Sequence, residues 1–257
     1  MKNSISFWHD ILVSLFHATF HTKTRSKQMT TYTIHGETYH VRKYTMDTAV
    51  IAESVICNIY GKHLPSLKND DWVIDIGAHI GTDSIHIAKQ YPGIRVLCFE
   101  PLPENYTLLK KNIIANGISE NITALQMGIA STKGKKKLYI DESNSGGSSL
   151  SFEQLEKSIE IQSTTLEHIV KQHNIKRIPF LKMDCEGCEY DILYNCPKKI
   201  LNMIDILALE YHPNGSIQNL KKHLEKNGFV VTLTPGINIP ILHRFTNIPL
   251  CIATKKI

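Results

Sequence analysis

From Asp70 onward, short apolar runs that end in an acid or a glycine alternate with segments whose apolar positions recur every three or four residues. The first kind predicts buried strands and the second amphipathic helices. "DDWVIDIGAHIG" predicts a strand running into glycines, and "TDSIHIAKQY" a helix. "IRVLCFEP" is a strand, and "PENYTLLKKNIIANG" is a helix opened by Pro103 and closed by Gly117. "ITALQMGIA" follows as a strand. "KKKLYI" and "SIEIQST" predict short strands around the polar loop "DESNSGGSS". The helix "TLEHIVKQHN" leads to the strand "IPFLKMD", the mostly helical "EYDILYNCPKKILNM", the strand "DILALEYH" and the helix "SIQNLKKHLEKNG". Such alternation argues an α/β fold with a mostly parallel central sheet and helices on both faces. The last two strands, "FVVTLT" and "IPLCIAT", have no helix between them. An antiparallel strand is therefore expected at one edge.

Upstream, "TYTIHGETYHVRKY" alternates and carries His35–Gly36 at its centre, the pattern of a hairpin turn. "DTAVIAESVICNIYGKHL" predicts a helix with Asp47 as its N-cap and Gly61 as its stop. In "SISFWHDILVSLFHATFH", Ile5, Trp8, Leu12, Leu15 and Phe16 fall at helical spacing, interrupted by His9, Asp10 and His17. A membrane span needs about 20 predominantly apolar residues, and a signal peptide needs a cleaner apolar core. The expectation is a helix packed on the domain, with contact to a membrane surface or a partner as its alternative. "HTKTRSKQMT" reads as a polar linker. The resulting division is 1–30 for the helix and linker, 31–69 for the hairpin and next helix, and 70–257 for the main domain.

Composition adds little. The 257 residues are 42% hydrophobic and 21% charged, with a net charge of +5. The pI is about 8.8 and the mean hydropathy −0.16. This mild basicity does not establish a nucleic-acid partner. The run Lys133–Lys137 reads as a solvated turn between short strands, and no aromatic cluster for base stacking accompanies it. Six cysteines scattered along a long chain are unlike a secreted disulfide scaffold. They point to reduced thiols and a cytoplasmic location.

Two stretches carry candidate chemistry. "VIDIGAHIGTDS" places Asp75, Gly77, Ala78 and Gly81 at a strand-to-helix turn, where open α/β sheets bind ligands. A dinucleotide fingerprint would need glycine where His79 stands, which argues against a nicotinamide oxidoreductase. Glu100 ends the next strand, placed to accept hydrogen bonds from a ribose diol.

"VIDIGAHIGTDSIHIA", "CFEPLPENYTLLKKNI", "STTLEHI" and "FLKMDCEGCEYDIL" together resemble the FkbM-like methyltransferases over about Asp70 to Pro213. The resemblance implies a Rossmann-like class I methyltransferase fold and S-adenosyl-L-methionine as cofactor. It implies methylation of a hydroxyl on a small molecule or sugar. By the same resemblance, Asp75, Gly77, Ala78 and Gly81 match the cofactor loop, Glu100 the ribose ligand, and Pro101 and Asn105 the turn and helix beneath it. Gly128 and Ile129 match the segment flanking the adenine, with a plain strand-end role as the alternative. Members typically carry Asn at the position of His79, and small or apolar residues at those of Cys185 and Cys188. A nucleic-acid methyltransferase and a non-catalytic binding domain on the same fold are the rival readings.

"FLKMDCEGCEYDIL" gathers Asp184, Glu186, Glu189 and Asp191 around Cys185 and Cys188. In a strand Cys185 should point away from Asp184, and the frame is unlike a thioredoxin C-x-x-C. The two thiols read as incidental. Glu189 and Asp191 suit the N-terminus of a helix. Glu210 and His212, two apart, should share a face and bring Asp184, Glu186, Glu210 and His212 toward one pocket. The expected catalytic set is His212 as a near-neutral base, with Asp184 and Glu186 assisting. A divalent cation on the same groups is the competing reading; no metal site is assigned.

Overall fold

A computed structural model describes residues 6–13, 28–141, 146–151, 156–234 and 248–256. Most of the expected linker at 21–30 lies outside the described residues, as do 142–145 of the polar loop and the ends of the expected N-terminal helix.

Residues 6–13 form a helix (α1). Phe7 and Ile11 are buried in the core while Trp8 and Leu12 are exposed, and Asp10 accepts the hydroxyl hydrogen bond of Tyr32. β1 (Met29–Ile34) and β2 (Glu37–Arg42) form an antiparallel hairpin. His35 and Gly36 both take positive φ, at 51° and 80°, as a two-residue hairpin turn of this hand requires. α2 (Asp47–Ile51) follows. Its N-cap is Met46 rather than Asp47. The Asp47 carboxylate is instead taken by Arg42, through Nη2 at 2.7 Å and Nε at 2.9 Å. A bidentate charged pair outcompetes a single capping bond. The helix then widens into a π turn over Ala52–Ile56.

The main sheet contains β3 (Trp72–Ile76), β4 (Arg95–Phe99), β5 (Ile122–Leu125), β9 (Ile178–Met183), β10 (Ile204–Glu210), β11 (Phe229–Thr234) and β12 (Leu250–Lys255). Their order is β11-β12-β10-β9-β3-β4-β5. The fold class is as expected, with one difference in detail. The antiparallel strand is β12, which lies one place in from the edge between β10 and β11. α8 (Ile217–Lys226) carries the chain past one sheet position to β11, and β12 occupies that position.

"ITALQMGIA" divides into β5 and the two-residue β6 (Gly128–Ile129). β6 joins β7 (Gly134–Tyr139) and β8 (Ser158–Thr164) in a separate sheet of order β6-β8-β7. The lysine run is thus largely strand rather than turn, with Lys135 paired to Glu160 at 2.6 Å.

Period-two alternation sorts the strands onto two cores. Val73, Val96, Cys98, Phe180 and Ala208 face a cluster that includes Tyr39 and Val41 of the hairpin, α3 (Thr82–Gln90) and α4 (Pro103–Ala115). Ile74, Leu97, Leu181, Met183 and Leu207 face the other cluster, with α5 (Leu166–Gln172), α6 (Glu189–Asn195), α7 (Lys198–Leu201) and α8. The chain runs outward through β3, β4 and β5, then returns to place β9 beside β3. That reversal opens a crevice at the carboxyl ends of the strands, where α/β sheets bind ligands.

Candidate active site

A cleft of about 200 Å³ lies at this switch point. Its walls come from the ends of β3 (Ile76, Gly77), β4 (Phe99, Glu100, Pro101), β9 (Asp184, Cys185, Glu186) and β10 (Glu210), with Gly128 and Ile129 beyond β5. Asn105, His79, Glu53 and Ser148 add to the polar lining. Five carboxylates therefore face the cleft: Glu53, Glu100, Asp184, Glu186 and Glu210. No lysine or arginine is among the described lining residues. A cationic ligand would stabilise the ionised forms of these carboxylates, whereas a phosphate would oppose them.

Glu100 is 6% exposed. Its Oε2 accepts from the His79 backbone N–H at 2.8 Å and its Oε1 from that of Leu102 at 2.9 Å. Oε1 also accepts from Asn105 Nδ2 at 3.5 Å, and Oε2, with one donor, keeps further acceptor capacity. Burial pushes its carboxyl up to about 7, against the pull of those two N–H donors and Asn105. Asn105 in turn accepts from Arg42 Nη2 at 2.7 Å, so Arg42 braces the helix under Pro101.

Gly77 has φ 81°. A Cβ there would stand 1.6 Å from the carbonyl oxygen of Asp184. The glycine is required by the close approach of the β9 end as well as by its own left-handed turn. Ala78 lines a small annex of the cleft. Gly81 lines neither, but caps α3 with φ 89°. Asp75 lines neither. Its side chain turns into the protein, 3.0 Å from Lys182 Nζ and 2.7 Å from the Ser84 hydroxyl. Of the expected cofactor set, then, Gly77, Glu100, Pro101, Asn105, Gly128 and Ile129 face the cleft, Ala78 its annex, and Asp75 and Gly81 shape it from behind.

β9 ends at Met183, so strand alternation stops before the acidic segment. Cys185 does not point away from Asp184; both face the cleft. Glu186 and Gly187 take positive φ, 54° and 99°. Asn214 Nδ2 donates to the Gly187 carbonyl at 2.8 Å, and Ser149 donates to that of Glu186. His79, at φ 51°, is the other non-glycine cleft residue held left-handed. Left-handed backbone at non-glycine residues concentrates at functional sites.

His212 is enclosed by acids: Nδ1 is 2.8 Å from Glu189 Oε1, and Nε2 is 3.2 Å from Glu186 and 3.9 Å from Glu210. Burial works against its charge, but Glu186 and Glu189 hold it protonated, up to about 12. Its neighbours favour the imidazolium over the near-neutral base expected from the sequence, and His212 is not among the described lining residues of the cleft or its annex. Burial raises the carboxyls of Asp184 and Glu210, with His212 opposing in both cases.

Sequence reasoning missed Glu53 and Tyr60. Glu53 sits in the π turn, and burial together with Asp184 and Asp83 raises its carboxyl to about 8. π turns within helices recur at functional sites, but the amphipathic pattern of an ordinary helix conceals them.

This sheet order and cleft are those of a Rossmann-like methyltransferase. A model of the methyltransferase FkbM domain matches residues 75–231, and the chain belongs to that family. It is 23% identical over 223 residues to the methyltransferase sdnD of Sordaria araneosa, covering 74% of this chain and 86% of that one. It is 22% identical over 203 residues to the 31-O-demethyl-FK506 methyltransferase FkbM of Streptomyces tacrolimicus, covering 67% and 77%. The crystal structure of a Pyrococcus horikoshii protein assigned as a transferase superposes with a TM-score of 0.51 at 15% identity, covering 90% of this chain and 74% of that one.

Proposed function

We propose that the protein transfers a methyl group from S-adenosyl-L-methionine to a hydroxyl of a small molecule or sugar. The observation that carries this is the set of five carboxylates in a cleft with no lysine or arginine among its described lining residues, with Glu100 fixed at the end of β4. A cofactor bearing a net positive charge and a ribose diol suits that lining. A dinucleotide's pyrophosphate or a nucleic-acid backbone does not. The residues present therefore fit the cofactor.

When bound, the cofactor supplies a sulfonium-activated methyl group. Glu100 accepts hydrogen bonds from a diol, its carboxylate pre-aimed by His79 N–H and Leu102 N–H. Gly77 permits the tight junction of β3 with β9 that sets the cleft floor. Gly128 and Ile129 supply an apolar wall. Asp184, at the end of β9, faces the acceptor, and its negative charge favours loss of the hydroxyl proton. His212 and Glu186 hold that side of the cleft in place through their ion pair. Holding the acceptor in line with the methyl carbon supplies most of what displacement needs. The hydroxyl preference draws on the relative named for a 31-O-demethyl substrate. Calorimetry tests the reading: S-adenosylmethionine or S-adenosylhomocysteine should bind and NAD should not. Binding of NAD alone would overturn it.

A further inference from the structure

We propose that the acidic end of the cleft is a divalent-cation site, with Asp184, Glu210 and His212 as its protein ligands. One donor atom from each lies within 4.8 Å of the other two. Donors adjacent on one small divalent ion stand ~3 Å apart, given bonds of about 2.0–2.2 Å. Small side-chain rotations would close the set on an ion.

Two observations bear on a ligand there, the second independent of the cluster. First, His212 Nδ1 meets Glu189 Oε1 at 2.8 Å. The remaining nitrogen, Nε2, is thereby directed toward Glu186 and Glu210. A histidine held by a carboxylate through one nitrogen presents the other as metal ligands do, and an ion taking Nε2 would displace its proton, so that Glu186 and Glu210 face the ion in place of the imidazolium. Second, Tyr60 is 5% exposed, yet its hydroxyl has no hydrogen-bond partner among the described residues. It lines an annex of about 30 Å³ together with Glu53, Asp83, Lys182, Asp184 and Glu210, of which Asp184 and Glu210 are shared with the ion site, while His212 stands outside the annex lining. A buried hydroxyl calls for a partner, and water carried by an ion in the annex supplies one.

The dimensions choose the occupant. An annex of about 30 Å³ holds an ion or water rather than an organic ammonium group. The Tyr60 ring already has Lys182 Nζ 5.3 Å from its centroid, so that face is not open to a quaternary amine. Lys182 is itself committed to Asp75 at 3.0 Å and to the Gly77 carbonyl at 2.8 Å. Carboxylate oxygens with a single imidazole suit Mg²⁺ or Mn²⁺. An ion at the ends of β9 and β10 would bind the acceptor's hydroxyl oxygen and lower its pKa, Asp184 then acting by holding the ion rather than on the hydroxyl directly, and the proton passing to bulk water. That role rests on the methyl-transfer reading; the site itself does not.

The test is titration of chelator-stripped protein with MnCl₂ alone, followed by loss of the free-ion paramagnetic resonance signal. The expected result is uptake of about one ion per chain, with a thermal transition that rises with Mn²⁺. Glu210→Gln and Asp184→Asn should each weaken uptake at least tenfold while keeping the far-ultraviolet dichroism of the parent. Should a variant fail to fold, the parent protein still decides: Mn²⁺ should selectively broaden the His212 ring resonances. Absence of uptake at millimolar Mn²⁺, equal uptake by both folded variants, or an unbroadened His212 ring overturns the proposal. Because no S-adenosyl compound is present, a chain that binds Mn²⁺ but no S-adenosylhomocysteine would refute the cofactor reading and leave the ion site standing.

Discussion

Lys182 Nζ lies 3.0 Å from Asp75 Oδ1 and ties the end of β9 to β3 across the switch point. Both side chains are fully buried, and Lys182 also donates to the Gly77 carbonyl at 2.8 Å. Asp75 thus acts on the cleft through the backbone turn rather than by facing it. Removing one member of such a pair leaves an uncompensated charge. Lys182→Ala should therefore cost about 3–5 kcal/mol of stability. Denaturant unfolding measures this, and a loss under ~1 kcal/mol would show the pair to be dispensable.

Glu100 sets the cofactor affinity in this scheme. Glu100→Ala should weaken S-adenosylhomocysteine binding by about 1.5–3 kcal/mol for each charged hydrogen bond lost. The free carboxyl sits near pH 7 because burial outweighs its N–H donors. Hydroxyl donors favour its ionised form, so binding should release a proton at neutral pH. Affinity should then fall as the pH drops below about 7. Calorimetry in buffers of different ionisation heat reads the proton directly. Proton uptake, or a profile unchanged in Glu100→Gln, would remove Glu100 from the site.

Glu53 offers a stability test independent of any ligand. Its carboxyl is raised by burial to about 8, from 4.5 in an unstructured chain. A folded-state value above the unfolded one favours folding below pH 4.5 and loses that advantage as the pH rises toward 8. Glu53→Gln should match the parent near pH 4.5 and melt higher near pH 8. The gain should be roughly 2–4 °C for each kcal/mol recovered. Equal melting curves at both pH values would contradict the placement of Glu53.

The two cysteines of the acidic segment should be chemically quiet. Cys188 Sγ donates to the Cys185 carbonyl at 2.7 Å. Burial, with Cys188 beside it, pushes the Cys185 thiol well above its ordinary value. A thiol that stays protonated is a poor nucleophile. Iodoacetamide should label Cys185 slowly at pH 7.5, and the Cys185→Ser, Cys188→Ser double variant should retain methyl transfer. Activity lost on mild oxidation and restored by dithiothreitol would reverse this.

Asp184 separates chemistry from binding. Asp184→Asn should lower kcat by about 10²–10⁴-fold, the usual cost of losing a proton-accepting group. S-adenosylhomocysteine affinity should change far less, because Asp184 is not assigned to the adenosine. Steady-state kinetics beside calorimetry makes the comparison; an unchanged kcat would move the chemistry elsewhere.

Local pattern alone determined much of this protein. The alternation from Asp70 to Glu210 specified the parallel sheet, because period-two and period-3.6 burial are written residue by residue. It also placed Glu100, Asp184 and Glu210 at strand ends, where the connectivity turns them toward one cleft. The His35–Gly36 turn was equally legible, since only a few residue types take positive φ at low cost. Tertiary structure decided the rest. β12 takes its place between β10 and β11 through long-range pairing, which leaves no local mark. Arg42 claims Asp47 from the helix cap, and Lys182 draws Asp75 away from the cleft, because charges pair with whatever the fold brings near. The π turn that carries Glu53 over the cleft is hidden inside an ordinary helical pattern. His212 meets Glu186, Glu189 and Glu210 only because the fold brings a loop, a helix and a strand together around it. No spacing along the chain encodes those distances.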